Sequence, residues 1–189
     1  MHVILVTGMP GVGKTTIMRS VSLELKKRGM QFDGFYTEEV RAANGERTGF
    51  DIVTFDGKQA PLARVSESLP NYPARYRVGK YSVCVSEFES LALPALNAST
   101  ANLLLLDEIG KMELKSKAFE TRLAQLTARL TRGDNLFLLA TIPLKAVLPI
   151  VEQLKAIPKT MLFHVTFSNR NKMVMEILEA TIRMTSAGQ

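Results

Sequence analysis

Eight residues near the start of the chain, Gly8-Met9-Pro10-Gly11-Val12-Gly13-Lys14-Thr15, follow the pattern G-x-x-x-x-G-K-[ST] without exception. The run Val3 to Val6 before them reads as a short buried strand. After them Ile17, Val21 and Leu25 recur at helical spacing, and Gly29 supplies a stop. A strand, a glycine-bent loop and an amphipathic helix in that order form the context that gives this motif its meaning. Gly8, Gly11 and Gly13 let the backbone curl so that successive N–H groups point inward at phosphate oxygens. The helix opening at Lys14 adds the positive end of its dipole. Lys14 reaches toward β- and γ-phosphates, and the Thr15 hydroxyl is a ligand for Mg²⁺. The alternative is a glycine-rich turn with no ligand, and the flanking strand and helix argue against it.

The remaining pattern alternates strands with helices. Gly34 to Val40 and Gly49 to Phe55 are β-rich and separated by Asn44-Gly45; Asp56-Gly57 follows the second. These turn signals predict an antiparallel hairpin region. Pro61, Pro70 and Pro73 mark 61–77 as a surface loop. Tyr81 to Val85 alternates as a half-buried strand, and Phe88 to Leu96 reads as a short helix containing Pro94. Leu103 to Leu106 is an apolar run suited to a central strand covered on both faces. Ser116 is a candidate N-cap for a helix with Phe119, Leu123, Leu126 and Leu130 on one stripe and Gly133 as its stop. Leu136 to Thr141 and Met161 to Phe167 are further strands, Lys145 to Leu154 a helix, and Ser168 the cap of a terminal helix. The fold class is therefore α/β: one domain over 1–189, a mostly parallel sheet with helices on both faces, and an added antiparallel hairpin region.

Asp107-Glu108, directly after Leu103 to Leu106, supplies acids that the glycine loop lacks. A parallel strand adjacent to the first would deliver Asp107 at its carboxyl end, beside Thr15 and a Mg²⁺ ion. Glu108, one residue on, is placed to accept a proton from water attacking the γ-phosphate. Transition-state charge calls for a further cation, for which Lys111, Arg41, Arg77 and Arg170 are candidates. Arg170 opens a helix, where the dipole disfavours a cation and an anionic partner would explain it. Elsewhere ordinary roles are expected. His164 reads as a core or edge residue, Cys84 as a small core residue, Phe35, Tyr36 and Phe50 as packing, and Met173, Met175 and Met184 as terminal-helix packing.

Composition sets outer limits. A chain of 189 residues with 46% hydrophobic and 22% charged residues suits one compact domain with a single core. No apolar run approaches the ~20 residues that span a bilayer, and the start of the chain lacks a signal-peptide pattern. One Cys and two His argue against disulfides and structural zinc. The expectation is a soluble intracellular protein, monomeric and without a membrane partner. The net charge of +6 lacks a basic block, so nucleic acid is not expected as principal substrate. Lys26-Lys27-Arg28 falls at a helix end, where it complements the dipole.

Four blocks appear in order: the phosphate loop through Thr16, Gly34-Phe35-Tyr36-Thr37-Glu38-Glu39-Val40-Arg41, Arg77-Val78-Gly79-Lys80-Tyr81, and Asp107-Glu108-Ile109-Gly110-Lys111-Met112-Glu113-Leu114. With Val165-Thr166 and Asn169-Arg170 they closely resemble the small nucleoside-triphosphatase family shared by thermophilic microbes and animals. That resemblance implies a RecA-like P-loop fold and slow hydrolysis of ATP, GTP and other nucleoside triphosphates with little base selectivity. It assigns nucleotide binding to Gly8, Met9, Pro10, Gly11, Val12, Gly13, Lys14, Thr15 and Thr16. It extends the assignment to Leu104, Leu105, Leu106, Asp107, Glu108, Ile109, Gly110 and Lys111.

The leading reading of the residues is Mg²⁺-dependent hydrolysis, with Lys14, Glu108 and Arg170 catalytic and Thr15 and Asp107 on the metal. One alternative is a small-molecule kinase in which Arg64, Arg75 and Arg77 form a mobile lid. Another is a nucleotide-dependent switch acting with a partner. No Asn-Lys-x-Asp guanine-reading element is present.

Overall fold

The computed structural model describes residues 2–65, 75–97, 101–145 and 147–186. Its strands are β1 (Val3–Gly8), β2 (Asp33–Arg41), β3 (Arg47–Thr54), β4 (Gln59–Val65), β5 (Arg77–Val78), β6 (Tyr81–Val83), β7 (Leu103–Leu106), β8 (Phe137–Thr141) and β9 (Met161–Val165). The helices are α1 (Lys14–Lys27), α2 (Val85–Leu96), α3 (Lys117–Arg132), α4 (Pro149–Ala156) and α5 (Arg170–Ser186), with a 3-10 turn at Glu113–Lys115. Among the described residues all strands join one nine-stranded sheet in the order β5-β6-β4-β3-β2-β7-β8-β1-β9. From β2 to β9 neighbours run parallel, and from β2 outward through β3, β4, β6 and β5 they run antiparallel.

Strand periodicity sorts the apolar residues into two cores. Val3, Leu5, Leu104, Leu106, Leu138 and Ala140 face one side with α2, α3 and α4. Ile4, Val6, Leu103, Leu105, Phe137 and Leu139 face the other with α1 and α5. Because both faces are covered, the parallel strands are continuous apolar runs and not alternating ones.

The structure moves several sequence-based boundaries. The segment read as a loop from Pro61 onward begins inside β4, and Pro61 is tolerated because the β3–β4 register shifts between Phe50 and Asp51, a bulge at which a ladder N–H is not required. Residues 66–74 of that expected loop lie outside the described residues. α2 starts at Val85 and not Phe88, with Pro94 confined to its last turn, and α4 starts at Pro149, which occupies the first helical turn where its missing N–H is harmless. β9 ends at Val165, since Thr166 turns into α5: its carbonyl accepts from Asn169 and Arg170 backbone N–H groups at 3.3 and 3.0 Å. The expected cap of α3 is present, with Ser116 Oγ accepting the Phe119 N–H at 2.9 Å.

β7 is not adjacent to β1. β8 lies between them, pairing with each in parallel. Local pattern carries no information on this order, because an inserted apolar strand looks the same wherever it pairs.

Candidate functional site

β1, β7, β8 and β9 release their carboxyl ends at one edge of the sheet, and the conspicuous chemistry gathers there. The loop between β1 and α1 is closed by a Val12 N–H bond to the Met9 carbonyl at 3.2 Å, and Val12 is buried in the α1–α5 core. Gly13, just before α1, has φ +109, a conformation that L side chains rarely adopt. No side chain caps α1 and no acid occupies its first turn, whereas α3 is capped by Ser116. The first amides of α1 are thus left for an external acceptor. Lys14 folds back over the loop, donating to the Gly8 carbonyl at 3.1 Å and lying 3.5 Å from Glu108 Oε2, with its side chain only 10% exposed.

Asp107 follows β7 and is sealed from solvent. Its N–H donates to the Phe35 carbonyl at 3.0 Å. The Thr141 hydroxyl, at the end of the intervening β8, donates to its Oδ1 at 2.5 Å. Among the described residues its Oδ2 has no hydrogen-bond partner. Burial pushes the carboxyl above the ordinary Asp range, opposed by the Thr141 and Thr15 hydroxyls, the Lys14 charge and the Thr37 backbone. The Asp107–Glu108 peptide is cis. Burial likewise raises Glu108, with Lys14 opposing the shift and Asp107 adding to it. A third acid, Glu113, is buried in the 3-10 turn and accepts the Gly110 N–H through Oε2 at 3.1 Å. Its carboxyl is pushed up to about 8, mainly by burial, with the Glu108 and Asp107 charges adding to the rise.

Asp107 and Glu108 therefore meet one ammonium, Lys14, at the mouth of a phosphate loop, with the third acid, Glu113, buried nearby. Such a set is poorly balanced electrostatically, and it suits a site that takes additional positive charge and phosphate together.

The sequence-named residues fall into three groups. Lys14, Asp107 and Glu108 converge, with Thr15 in the first turn of α1 beside them. Leu104, Leu105, Leu106 and Ile109 are buried and support the acids from below; Lys111 is exposed. The candidate cations separate. Arg41 is committed to Glu39 and to the Gly45 carbonyl at 2.8 Å. Arg170 is exposed at the start of α5, 5.5 Å from the Phe167 ring centre, with no acidic partner among the described residues. Arg77 sits on the outermost strand, where it lines one cavity together with Lys111, Leu114 and Lys115. Arg64, expected in a mobile lid, is instead fixed within β4 by Asp51 and by the Phe50 carbonyl at 2.8 Å, and Arg75 rests over the Tyr76 ring.

Phe35, Cys84, Met173 and Met184 are core residues. Met175 is 50% exposed and departs from the packing role expected of it. His164 lies exposed on the edge strand β9. Sequence reasoning did not find Thr141, Thr37 or Glu113. Thr141 had one available signal, a hydroxyl closing a wholly apolar strand. Glu113 had another, a lone acid between Met112 and Leu114.

Among the described residues no helix is long and apolar enough to cross a membrane. The family model described as NTPase matches residues 3–178. The human cancer-related nucleoside-triphosphatase is 42% identical over 183 residues, covering 94% of each chain. The nucleoside-triphosphatase THEP1 of Aquifex aeolicus is 37% identical over 93% of this chain and 96% of its own. The crystal structure of that bacterium's THEP1 superposes with TM-score 0.75 at 35% identity, covering 94% of this chain and 98% of the other. The solution structure of the human cancer-related nucleoside triphosphatase gives TM-score 0.76 at 39% identity, covering 95% and 97%.

Proposed function

The chain belongs to the NTPase family and is a nucleoside-triphosphatase, and from that premise we propose that Lys14, Thr15, Asp107 and Glu108 carry Mg²⁺-dependent hydrolysis of a nucleoside triphosphate to the diphosphate and phosphate. The observation that carries this reading is the 3.5 Å approach of Lys14 to Glu108 across the loop, which sets a phosphate-binding cation and a carboxyl base on one space.

The loop amides and the uncapped start of α1 hold the phosphate chain, and Lys14 neutralises its β and γ oxygens. Glu108 orients a water molecule and takes its proton as the oxygen attacks the γ-phosphorus. The nucleoside diphosphate leaves with the electron pair of the broken anhydride bond. Lys14 favours the ionised form of the Glu108 carboxyl, while burial raises its basicity.

Mg²⁺ is ordinarily held by one or two protein oxygens together with phosphate and water. Thr15 and Asp107 fit that role, because the buried Asp107 Oδ2 lacks a partner among the described residues and the Thr15 hydroxyl interacts with the same carboxyl. When bound, the ion would neutralise charge on the β- and γ-phosphate oxygens. Arg170, unpaired by any described acid, is proposed as the additional cation. Since all these contacts are with the phosphates, broad selectivity among bases, ATP and GTP included, accompanies the reading; slow turnover is what the family resemblance implies.

The test is phosphate accounting with pure protein and Mg²⁺-ATP. One phosphate per ADP is expected. Glu108→Gln should keep nucleotide binding and slow turnover by about 10²- to 10⁴-fold. Lys14→Ala should abolish turnover. A Glu108→Gln variant at the parental rate would remove Glu108 from the base role.

A further inference from the structure

We propose that Glu113 is a positioning residue for the reaction: its buried side chain grips the Gly110 amide and closes the turn after Glu108, so that the Glu108 carboxyl is held over Gly110 facing Lys14. The inference rests on the Glu108 base reading and deepens it.

Three pieces of geometry support it. Glu113 is 5% exposed, and its Oε2 accepts the buried Gly110 N–H at 3.1 Å. The Leu114 N–H donates to the Gly110 carbonyl at 3.2 Å, so both polar groups of the Gly110 peptide unit are tied to the 3-10 turn. A Cβ on Gly110 would lie 2.9 Å from Glu113 Oε2 and 3.0 Å from Glu108 Oε1, with nothing to spare for either. The two carboxyl groups thus converge on one side of Gly110, where any side chain would push them from their present positions. Moving Glu113 would free the segment that carries Glu108, and small displacements of a catalytic group have large rate effects.

Charge explains how two acids tolerate this proximity. Glu113 is held neutral at pH 7 by burial, with Glu108 and Asp107 as the facing acids. The other charged groups packed near the turn are engaged elsewhere or open to solvent, among them Arg77 of β5, exposed on a cavity shared with Leu114 and Lys115. From α3, Lys117 and Glu120 pair with each other at 2.7 Å. From α2, Glu89 takes the Ser116 hydroxyl at 2.6 Å. On the turn's own segment, Lys111 is exposed and Lys115 half-buried. Ionisation of Glu113 as pH rises through about 8 strengthens its bond to the Gly110 N–H but sets a like charge beside Glu108, which repels that carboxyl from its place over Gly110.

The experiment compares steady-state ATP hydrolysis by the parent, Glu113→Ala, Glu113→Gln and Glu108→Gln from pH 6 to 9.5. Glu113→Ala should lose about 10- to 100-fold in kcat while KM changes little. Glu113→Gln mimics the neutral acid, so it should restore most of kcat at pH 7. It should also lose the decline that the parent shows as pH rises through about 8. An unchanged kcat in Glu113→Ala, or the same alkaline decline in Glu113→Gln, overturns the proposal. Should the alanine variant fail to fold, the glutamine profile decides alone. Glu108→Gln separates the two levels: a parental rate there sinks the base reading itself, whereas an inactive Glu108→Gln beside an unaffected Glu113→Ala sinks only the clamp.

Discussion

Asp51 in the antiparallel half of the sheet and Asp107 at the edge of the parallel half are both nearly sealed from solvent, at 8% and 1% exposure. Their surroundings differ. Asp51 pairs with Arg64 through one oxygen and accepts from Gln59 Nε2 at 2.6 Å through the other. Asp107 has one hydroxyl on Oδ1 and nothing on Oδ2. The same contrast runs through the two halves. Glu39 on β2 is paired with Arg41 and Arg47 of the same half, and Glu38 with Arg19 of α1, so these acids have cationic partners. At the carboxyl edge, among the described residues, Asp107 and Glu108 have Lys14 alone as a facing cation. A buried polar group without its partner is destabilising, so a site that retains one is adapted to a ligand that supplies it.

Replacing Asp107 by Asn gives the largest expected effect. Turnover should fall to background, and Mg²⁺ should no longer tighten nucleotide binding. Stability should move the other way. The folded-state pKa of Asp107 is raised above 3.8, so its stabilising contribution is complete at low pH and is lost as pH rises through the raised value. At neutral pH the parent therefore carries the penalty of an acid buried with one oxygen unpartnered among the described residues, and Asp107→Asn does not. Its melting temperature without nucleotide should equal or exceed the parent's. A large drop would mean that Asp107 is a structural acid like Asp51, and the contrast between the halves would collapse.

Arg170 sharpens the comparison from the cation side. Arg19, Arg41, Arg47 and Arg64 each have an acidic partner, and Arg170 has none among the described residues. Arg170→Ala should leave stability within about 0.5 kcal/mol, as exposed substitutions usually do. It should lower kcat/KM for Mg²⁺-ATP by about tenfold if the side chain meets phosphate, a loss of ~1.4 kcal/mol. Unchanged kcat/KM would exclude it from the site.

How far this arrangement could be read in advance depends on the range of the interactions involved. Lys14 and Thr15 were legible because a phosphate loop is a local device: its glycines, strand and helix are contiguous. Asp107 and Glu108 were legible as acids ending an apolar strand. The order of the strands was not, since pairing between distant segments leaves no local trace, and the sequence alone favoured β7 next to β1. Thr141 was invisible for that reason; its hydroxyl matters only because β8 lies between them. Pro61 misled in the opposite direction. A proline argues against a strand until the bulge that accommodates it is known, and the bulge depends on β3.

The smallest effect on catalysis is expected at Asp51. Asp51→Asn keeps the shape and the Gln59 contact but removes the charge facing Arg64, whose side chain is 18% exposed and also bonds the Phe50 and Ala63 carbonyls at 2.8 and 3.0 Å. Those carbonyls limit the damage, so a loss of about 1–3 kcal/mol of stability is expected in denaturant unfolding. The midpoint should shift while the slope stays fixed, because the surface exposed on unfolding is unchanged. ATP turnover, measured well below the new transition, should stay close to the parental rate. If turnover falls while stability holds, the antiparallel half is part of the catalytic apparatus, and paired charges there would have to be read as gating elements and not as a self-balanced support.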